Sequence, residues 1–176
     1  IQLPADLASG RYRFMLEDYP LGEIAVTAPD RAYVSPALAA ELNQTFSTPD
    51  GKAVAELMGF AAGSTATPCP VRASGATCSV PLVWRAGTPS PISYRVFVHL
   101  LDGSGNIVTQ SDSEPASRTR PTTGWLTGEY IVDTHNLTLP ENLAEGPFTL
   151  SIGLYDPVTG KRLLTGAGDS AIVPLP

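Results

Sequence analysis

The feature that most constrains this chain is an alternation of apolar and polar residues that recurs along its length. Segment 147–155 shows it most clearly, because its large apolar residues fall at every second position: Phe148, Leu150, Ile152 and Leu154. Side chains at every second position share one face of a β-strand, so such a segment buries one face and exposes the other. Further strand patterns occur at 11–16, 23–27, 54–60, 77–85, 94–101, 107–112 and 129–135.

Turn-forming residues separate these segments. Residues 102–106, Asp-Gly-Ser-Gly-Asn, join two of them and predict a β-hairpin. The 176 residues include 16 glycines and 17 prolines, a density that disfavours long helices. About nine or ten short strands without βαβ spacing predict an all-β fold, an antiparallel two-sheet β-sandwich of the immunoglobulin-like or carbohydrate-binding-module-like type.

Two segments depart from the simple strand pattern. Ser35–Leu42 has Ser as a potential N-cap, Pro at the first helical position and good helix formers, so it predicts a helix of two turns at most. Pro81 lies inside a predicted strand, and because proline cannot donate a backbone hydrogen bond it predicts a sheet edge or a bulge.

The length is typical of one domain, and we expect residues 1–176 to form a single sandwich. Residues 1–50 are expected to be an N-terminal arm or a set of added strands. The alternation assigns these residues to the core: Phe14, Leu57, Leu82, Trp84, Val96, Val98, Ile131, Leu150, Ile152 and Leu154.

The net charge limits the possible partners. The net charge of −6 argues against binding nucleic acid through bulk charge. The chain begins at Ile1 with no initiator Met, so we expect a processed end or a piece of a larger protein.

Cys69 and Cys78 are the only cysteines, and they bracket eight residues that include a Ser-Gly turn. Two strand ends joined by such a loop can bring the sulfurs into disulfide range. A disulfide implies an oxidising compartment and therefore export. Two free structural thiols, or cysteine chemistry, are the alternatives.

Several segments between residues 55 and 164 keep the order of a known family. The most specific are Phe-Val-His-Leu-Leu-Asp at 97–102 and Pro-Thr-Thr-Gly-Trp at 121–125. This order resembles the extracytoplasmic β-sandwich region at the C-terminal end of some bacterial multi-spanning membrane proteins, which are glycosyltransferase-like proteins of the mannosyltransferase type. The resemblance implies a domain outside the membrane, with the membrane portion of its parent as a partner. It implies no catalysis, because in that family the transfer chemistry belongs to the membrane portion.

The longest break in the strand pattern, 113–128, contains the candidate ligand-binding residues. Trp125 lies there with Arg118 and Arg120. An exposed indole beside planar polar groups suits stacking on a sugar ring. The alternative is that Trp125 plugs the loop onto the sandwich, because tryptophan is usually largely buried.

Catalysis and metal binding have weaker signals. His99 and His135 are the only histidines, no Gly-x-Ser-x-Gly motif occurs, and His99 is expected to be a buried or half-buried residue that donates to a backbone carbonyl. A Ser-His-Asp arrangement assembled in space stays possible. No cofactor is expected. A structural Ca²⁺ held by carbonyls and one or two aspartates stays open, whereas residues 102–106 lack the ligand pattern of an EF-hand.

These observations favour a non-catalytic extracytoplasmic accessory domain that binds a glycan or packs on the membrane part of a glycosyltransferase-like parent. The second hypothesis is a structural cell-envelope module that contacts protein. A hydrolase is the third. A glycan binder should present aromatic side chains with polar neighbours in a groove or on a sheet face.

Overall fold

The computed structural model describes residues 3–63, 75–143 and 146–175. The described residues form ten β-strands and one short 3₁₀ turn at Thr122–Gly124, with no α-helix among them. The strands are β1 (Gly10–Leu16), β2 (Tyr19–Val26), β3 (Leu38–Ser47), β4 (Ala53–Ala61), β5 (Thr77–Ala86), β6 (Arg95–Leu101), β7 (Ile107–Ser113), β8 (Tyr130–Thr138), β9 (Thr149–Tyr155) and β10 (Ala171–Pro174). Within this part of the chain no helix is long and apolar enough to cross a membrane.

The chain divides into two compact units, Ile1–Arg31 and Ala32–Pro176. The first unit is a β-hairpin in which β1 pairs with β2 in antiparallel register. Arg13 and Glu23 face each other across the hairpin and form an exposed ion pair of 3.3 Å. Phe14, which the alternation assigned to the core of the sandwich, is a half-buried residue of this hairpin.

The second unit is a sandwich of two four-stranded antiparallel sheets. One sheet has the order β3-β4-β5-β8, and the other has the order β10-β9-β6-β7. We call them sheet I and sheet II. The predicted all-β, antiparallel two-sheet sandwich is therefore confirmed.

The core of the sandwich fills the space between the two sheets. Trp84 and Phe46 are fully buried and meet edge to face with their ring centroids 5.6 Å apart. Apart from Phe14, every residue that the alternation placed in the core is at most 2% exposed. The period-two pattern located the core because burying alternate side chains is what a sheet with one inner face requires.

The predicted helix at Ser35–Leu42 is wrong, because Leu38–Ser47 forms β3 against β4. Phe46 is fully buried, and Leu42 packs against the same core. Differences in helix propensity are below about 1 kcal/mol per residue. Burying one large apolar side chain contributes roughly 1.5–3 kcal/mol, so pairing and burial outweigh the local preference.

Pro81 lies in β5, which is a central strand of sheet I. Its neighbour on one side is Thr134 of β8. On the other side the pairing of β5 with β4 ends at Leu82, opposite Phe60. Proline therefore occupies a position where β5 is locally an edge, which is how the sheet accommodates its missing amide.

Candidate functional site

Trp125, the predicted stacking residue, is buried. Its indole is 3% exposed and belongs to the core cluster. Its Nε1 donates a hydrogen bond of 2.8 Å to the carbonyl of Arg120. Of the two roles considered for Trp125, the structure supports the second, in which the indole holds the long loop onto the sandwich. A buried indole presents no face to a sugar.

Arg120 is also built into the fold. Its guanidinium pairs with the carboxylate of Glu129, a residue with no exposed surface. The second oxygen of Glu129 accepts a hydrogen bond of 3.1 Å from the amide of Leu126. The pair therefore ties the long connection to the start of β8.

The long connection is anchored again at the 3₁₀ turn. Thr122 is 2% exposed, and its Oγ1 donates to the carbonyl of Ile92 at 2.8 Å. The same oxygen accepts a hydrogen bond of 2.9 Å from the amide of Tyr94. A connection fixed by these contacts is part of the sandwich.

Arg118 is the third predicted ligand-binding residue. Unlike Trp125 and Arg120, it is exposed to solvent. It ends a run of three residues with left-handed backbone, in which φ is 52° at Ala116, 55° at Ser117 and 71° at Arg118. This conformation costs roughly 1–2 kcal/mol for each non-glycine residue. The amide of Ala116 donates to Asp133 Oδ1 at 2.8 Å, which helps to hold the strained turn.

Arg118 lines a polar depression of about 290 Å³ on the surface of the sandwich. We call it the arginine depression, and it is lined by Arg95, Asp112, Ser113, Glu114 and Arg118. Of the three predicted ligand-binding residues, the structure leaves Arg118 alone on an open surface cavity.

A second cavity lies on the outer face of sheet II. Val96, Val98 and Leu100 of β6 are buried in the core, so the intervening Phe97 and His99 point to the opposite face. The cavity has a volume of about 250 Å³. We call it the outer-face cleft, and it is lined by Phe97, His99, Asp112, Tyr155, Gly160 and Arg162.

Phe97 and Tyr155 form the floor of the outer-face cleft, and of these two only Tyr155 has a partly exposed side chain. Phe97 is 1% exposed, and its ring centroid lies 6.4 Å from that of the half-buried Tyr155. The guanidinium of Arg162 lies over the Phe97 ring, 4.2 Å from its centroid, in a cation–π arrangement. Gly153 is the cross-strand partner of Phe97, so the ring rests on a stretch of β9 without a side chain.

Polar groups surround this aromatic floor. His99 Nε2 lies 3.1 Å from Asp112 Oδ1. Arg162 also pairs with Asp169 at 3.3 Å, with both side chains partly exposed. His99 is buried as expected, but its partner is a carboxylate and not the predicted backbone carbonyl, because β7 places Asp112 on the same outer face. The cleft thus offers hydrogen-bond donors and acceptors around an apolar surface.

A second histidine–carboxylate pair lies inside the sandwich. His135 Nε2 is 3.0 Å from Asp133 Oδ2, and His135 Nδ1 is 3.0 Å from Ser111 Oγ. A neutral imidazole with its proton on Nε2 satisfies both contacts. The connectivity is that of a Ser-His-Asp array, but the imidazole is 1% exposed and the carboxylate is 0% exposed. Ser111 is half-buried, and the array links β7 to β8 through the side chains of Ser111 and His135.

Residues 102–106 have the geometry of a turn. Asp102 Oδ1 accepts hydrogen bonds of 2.9 Å from the amides of both Ser104 and Asn106. The bond from the Asn106 amide is the main cause that lowers the pKa of Asp102 below its ordinary value of 3.8. In the described ranges no group of three or more His, Cys, Asp or Glu side chains is arranged to hold a metal ion.

Cys78 is 4% exposed and lies in β5. Cys69 falls in segment 64–74, which lies outside the described residues. The disulfide between them stays a prediction.

Sequence reasoning missed most of the outer-face cleft. Phe97, Asp112, Tyr155 and Arg162 lie on three different parts of the chain that only the order of sheet II brings together. The available signal was the outward register of β6, where an aromatic residue and a histidine alternate with buried valines. The sequence matches no model of a protein family, and no curated protein matches it.

Proposed function

We propose that this chain is a non-catalytic, extracytoplasmic accessory domain that binds a glycan in the outer-face cleft. The observation that carries the proposal is the half-buried aromatic ring of Tyr155 beside the polar groups of His99, Asp112 and Arg162. The resemblance of segments between 55 and 164 to glycosyltransferase-associated sandwiches supports the same setting. The parent's membrane portion would then carry the transfer chemistry.

The chemistry of the cleft matches that of a sugar ring. A sugar presents C–H groups on its ring faces and hydroxyls around its edge. The half-buried ring of Tyr155 can contact the C–H face, while Asp112 accepts hydrogen bonds and Arg162 donates them. The volume of about 250 Å³ is below the roughly 300–1,000 Å³ of pockets for drug-sized ligands, which suits a single sugar unit of a longer glycan.

The proposal of a non-catalytic role rests on the two histidines. His135 and Asp133 are almost completely buried and Ser111 is half-buried, so a substrate has no open access to the imidazole. His99 reaches the outer-face cleft, but its described polar contact is with Asp112. A hydrolase needs a nucleophile beside its base and donors for an oxyanion, and the contacts of His99 supply neither.

A glycan-array screen of the full chain tests the proposal. Tyr155→Ala should weaken binding about tenfold, because it removes the aromatic contact at the cleft. Tyr33→Ala is the matched control, because Tyr33 is 55% exposed and does not line the cleft. Absence of binding to any glycan, or equal losses in the two variants, would contradict the proposal.

A second candidate function, contact with protein, is supported by the N-terminal hairpin. The end of the hairpin exposes four large apolar side chains, Met15, Leu16, Tyr19 and Leu21, by 47%, 64%, 78% and 68%. A two-stranded hairpin is marginally stable alone, so these side chains favour a contact with protein, for which the membrane portion of a parent is the expected partner.

Site-specific cross-linking separates this second candidate from a free hairpin. A photo-reactive residue at Leu21 should cross-link to a multi-spanning membrane protein in the native envelope. The same residue at Val158, which is 90% exposed, serves as the control. Equal cross-linking from both positions would exclude the hairpin as a specific contact.

A further inference from the structure

The arginine depression adjoins the outer-face cleft. Asp112 lines both cavities. Arg95 lines the depression and is the cross-strand partner of Tyr155, which lines the cleft. A glycan that occupies the cleft can therefore extend into the depression along one continuous surface.

The two arginines of this depression form no ion pair with the described residues, although Asp112 and Glu114 line the same cavity. Among the residues that the structure describes, neither the Arg95 nor the Arg118 guanidinium has an ion-pair or hydrogen-bond partner. By contrast, Arg85, Arg120 and Arg162 each pair with a carboxylate. The cavity thus holds two guanidinium groups that are free to donate to a ligand.

The carboxylates of the depression are engaged elsewhere. Asp112 Oδ1 contacts His99 Nε2 at 3.1 Å, and Glu114 Oε1 accepts a hydrogen bond of 2.9 Å from Ser93 Oγ. Each carboxylate has a second oxygen that can accept from a ligand hydroxyl. The depression thus combines two guanidinium donors with two carboxylate acceptors, whose formal charges balance.

The backbone holds Arg118 in place at a conformational cost. Arg118 is the last of three consecutive residues with left-handed backbone. Its amide donates to the carbonyl of Glu114 at 3.1 Å. Strained backbone of this kind persists only where surrounding contacts fix it, and it is concentrated at functional sites. Here Asp133 supplies one such contact through the amide of Ala116.

We propose that the arginine depression is an anion subsite of the glycan site and that the preferred glycan carries an anionic substituent on its sugar, as a uronic acid does. A guanidinium binds a carboxylate through two parallel hydrogen bonds, and sulfate or phosphate esters offer the same oxygen geometry. The free oxygens of Asp112 and Glu114 would accept hydrogen bonds from neighbouring hydroxyls. This inference rests on the proposed function of the outer-face cleft.

The test compares matched acidic and neutral glycans. The full chain is titrated with polyuronates, with their carboxyl-reduced counterparts and with sulfated polysaccharides. The acidic forms should bind at least about tenfold more tightly than the reduced forms. Tighter binding of the sulfated than of the carboxylated forms would assign the anion as a sulfate; the reverse would assign it as a carboxylate.

Variants identify the side chains that bind the anionic substituent. Arg95→Gln and Arg118→Asn should each remove about tenfold of the affinity for the acidic glycan and leave the neutral form unchanged. Asparagine is chosen at position 118 because it tolerates left-handed backbone. Arg85→Gln, on sheet I, is the control, and thermal unfolding verifies that each variant folds.

The outcomes separate the two proposals. Equal affinity for acidic and neutral glycans, with binding lost in Tyr155→Ala, would overturn the anion subsite and leave the glycan function intact. No binding to any of these glycans would overturn both. If Arg118→Asn fails to fold, Arg95→Gln decides alone, because Arg95 has ordinary strand geometry.

Discussion

Gly153 shows how a single residue sets the shape of the outer-face cleft. A Cβ at this position would lie 2.6 Å from Cζ of Phe97 and 3.0 Å from the carbonyl oxygen of Asp169. The first distance is well inside van der Waals contact, so any side chain at 153 must displace the aromatic ring. Phe97 can therefore form the floor of the cleft only while residue 153 is glycine.

Gly153→Ala should lower the free energy of unfolding by about 1–3 kcal/mol, as overpacking of a well-filled site does. Gly124→Ala is the control, because a Cβ there meets no atom within 4 Å. Chemical denaturation of both variants measures the difference. Equal stability of the two variants would show that the ring does not rest on the β9 backbone.

Asp102 gives a prediction for pH. Its folded pKa lies below the ordinary value of 3.8, chiefly because of the hydrogen bond from the Asn106 amide. The stabilisation by its carboxylate is therefore complete above pH 3.8 and is lost as the pH falls through the lower folded pKa. Asp102→Asn should be less stable than the parent at neutral pH, and the difference should shrink on acidification. A difference that grows below pH 4 would contradict the role of the carboxylate.

At the scale of elements, the long connection 113–128 is ordered by contacts that its composition does not reveal. Its Thr, Gly, Ser and Arg residues are typical of a surface loop. The side chain of Thr122 is nevertheless hydrogen-bonded to the amide of Tyr94, just before β6. The amide of Ala116 is hydrogen-bonded to the side chain of Asp133 in β8. Each partner is distant in sequence, so the local pattern did not show that this connection is anchored to the sandwich.

The network of Asp133, His135 and Ser111 should be the most sensitive polar feature of the sandwich. Asp133→Ala leaves both the buried imidazole and the amide of Ala116 without an acceptor, and we expect a loss of about 3–5 kcal/mol. Ser111→Ala removes a single hydrogen bond from a half-buried residue, and we expect about 1 kcal/mol. Denaturant unfolding ranks the two variants, and equal losses would show that Asp133 does not hold the network together.

Strands were predictable where local pattern and tertiary burial agree. In β6 the residues Val96 and Val98 are fully buried, as expected, and Leu100 continues the same alternation. In Ser35–Leu42 the local signal favoured a helix, but β4 offered a pairing partner that no local pattern shows. The outer-face cleft could not be predicted because Asp112 of β7 and Arg162, which bridges to Tyr155 at the end of β9, line one cavity only through the strand order of sheet II.

At the scale of the whole molecule, the sandwich has a core of its own. Every buried member of its hydrophobic cluster lies at or beyond Phe46 in the chain. The unit Ile1–Arg31 is a hairpin with its own pairing and its own ion pair. Each unit is therefore held together by contacts within itself.

The fragment Ala32–Pro176 should fold without the first unit. We expect cooperative thermal unfolding with a midpoint within about 4 °C of the full chain, which corresponds to a change of roughly 1 kcal/mol. Calorimetry of the two proteins measures this difference. A fragment that is unfolded or aggregates would show that the hairpin is required for the sandwich.

NMR chemical-shift mapping of the full chain, during titration with an oligosaccharide that it binds, locates the glycan site most directly. We predict that the largest amide shifts fall on the outer face of sheet II, at Phe97, His99, Asp112 and Tyr155, with Arg118 joining them when the sugar is acidic. The 3₁₀ turn Thr122–Gly124, in which Thr122 is buried, should shift little. Shifts concentrated on sheet I or on the N-terminal hairpin, with sheet II unchanged, would contradict a glycan site in the outer-face cleft.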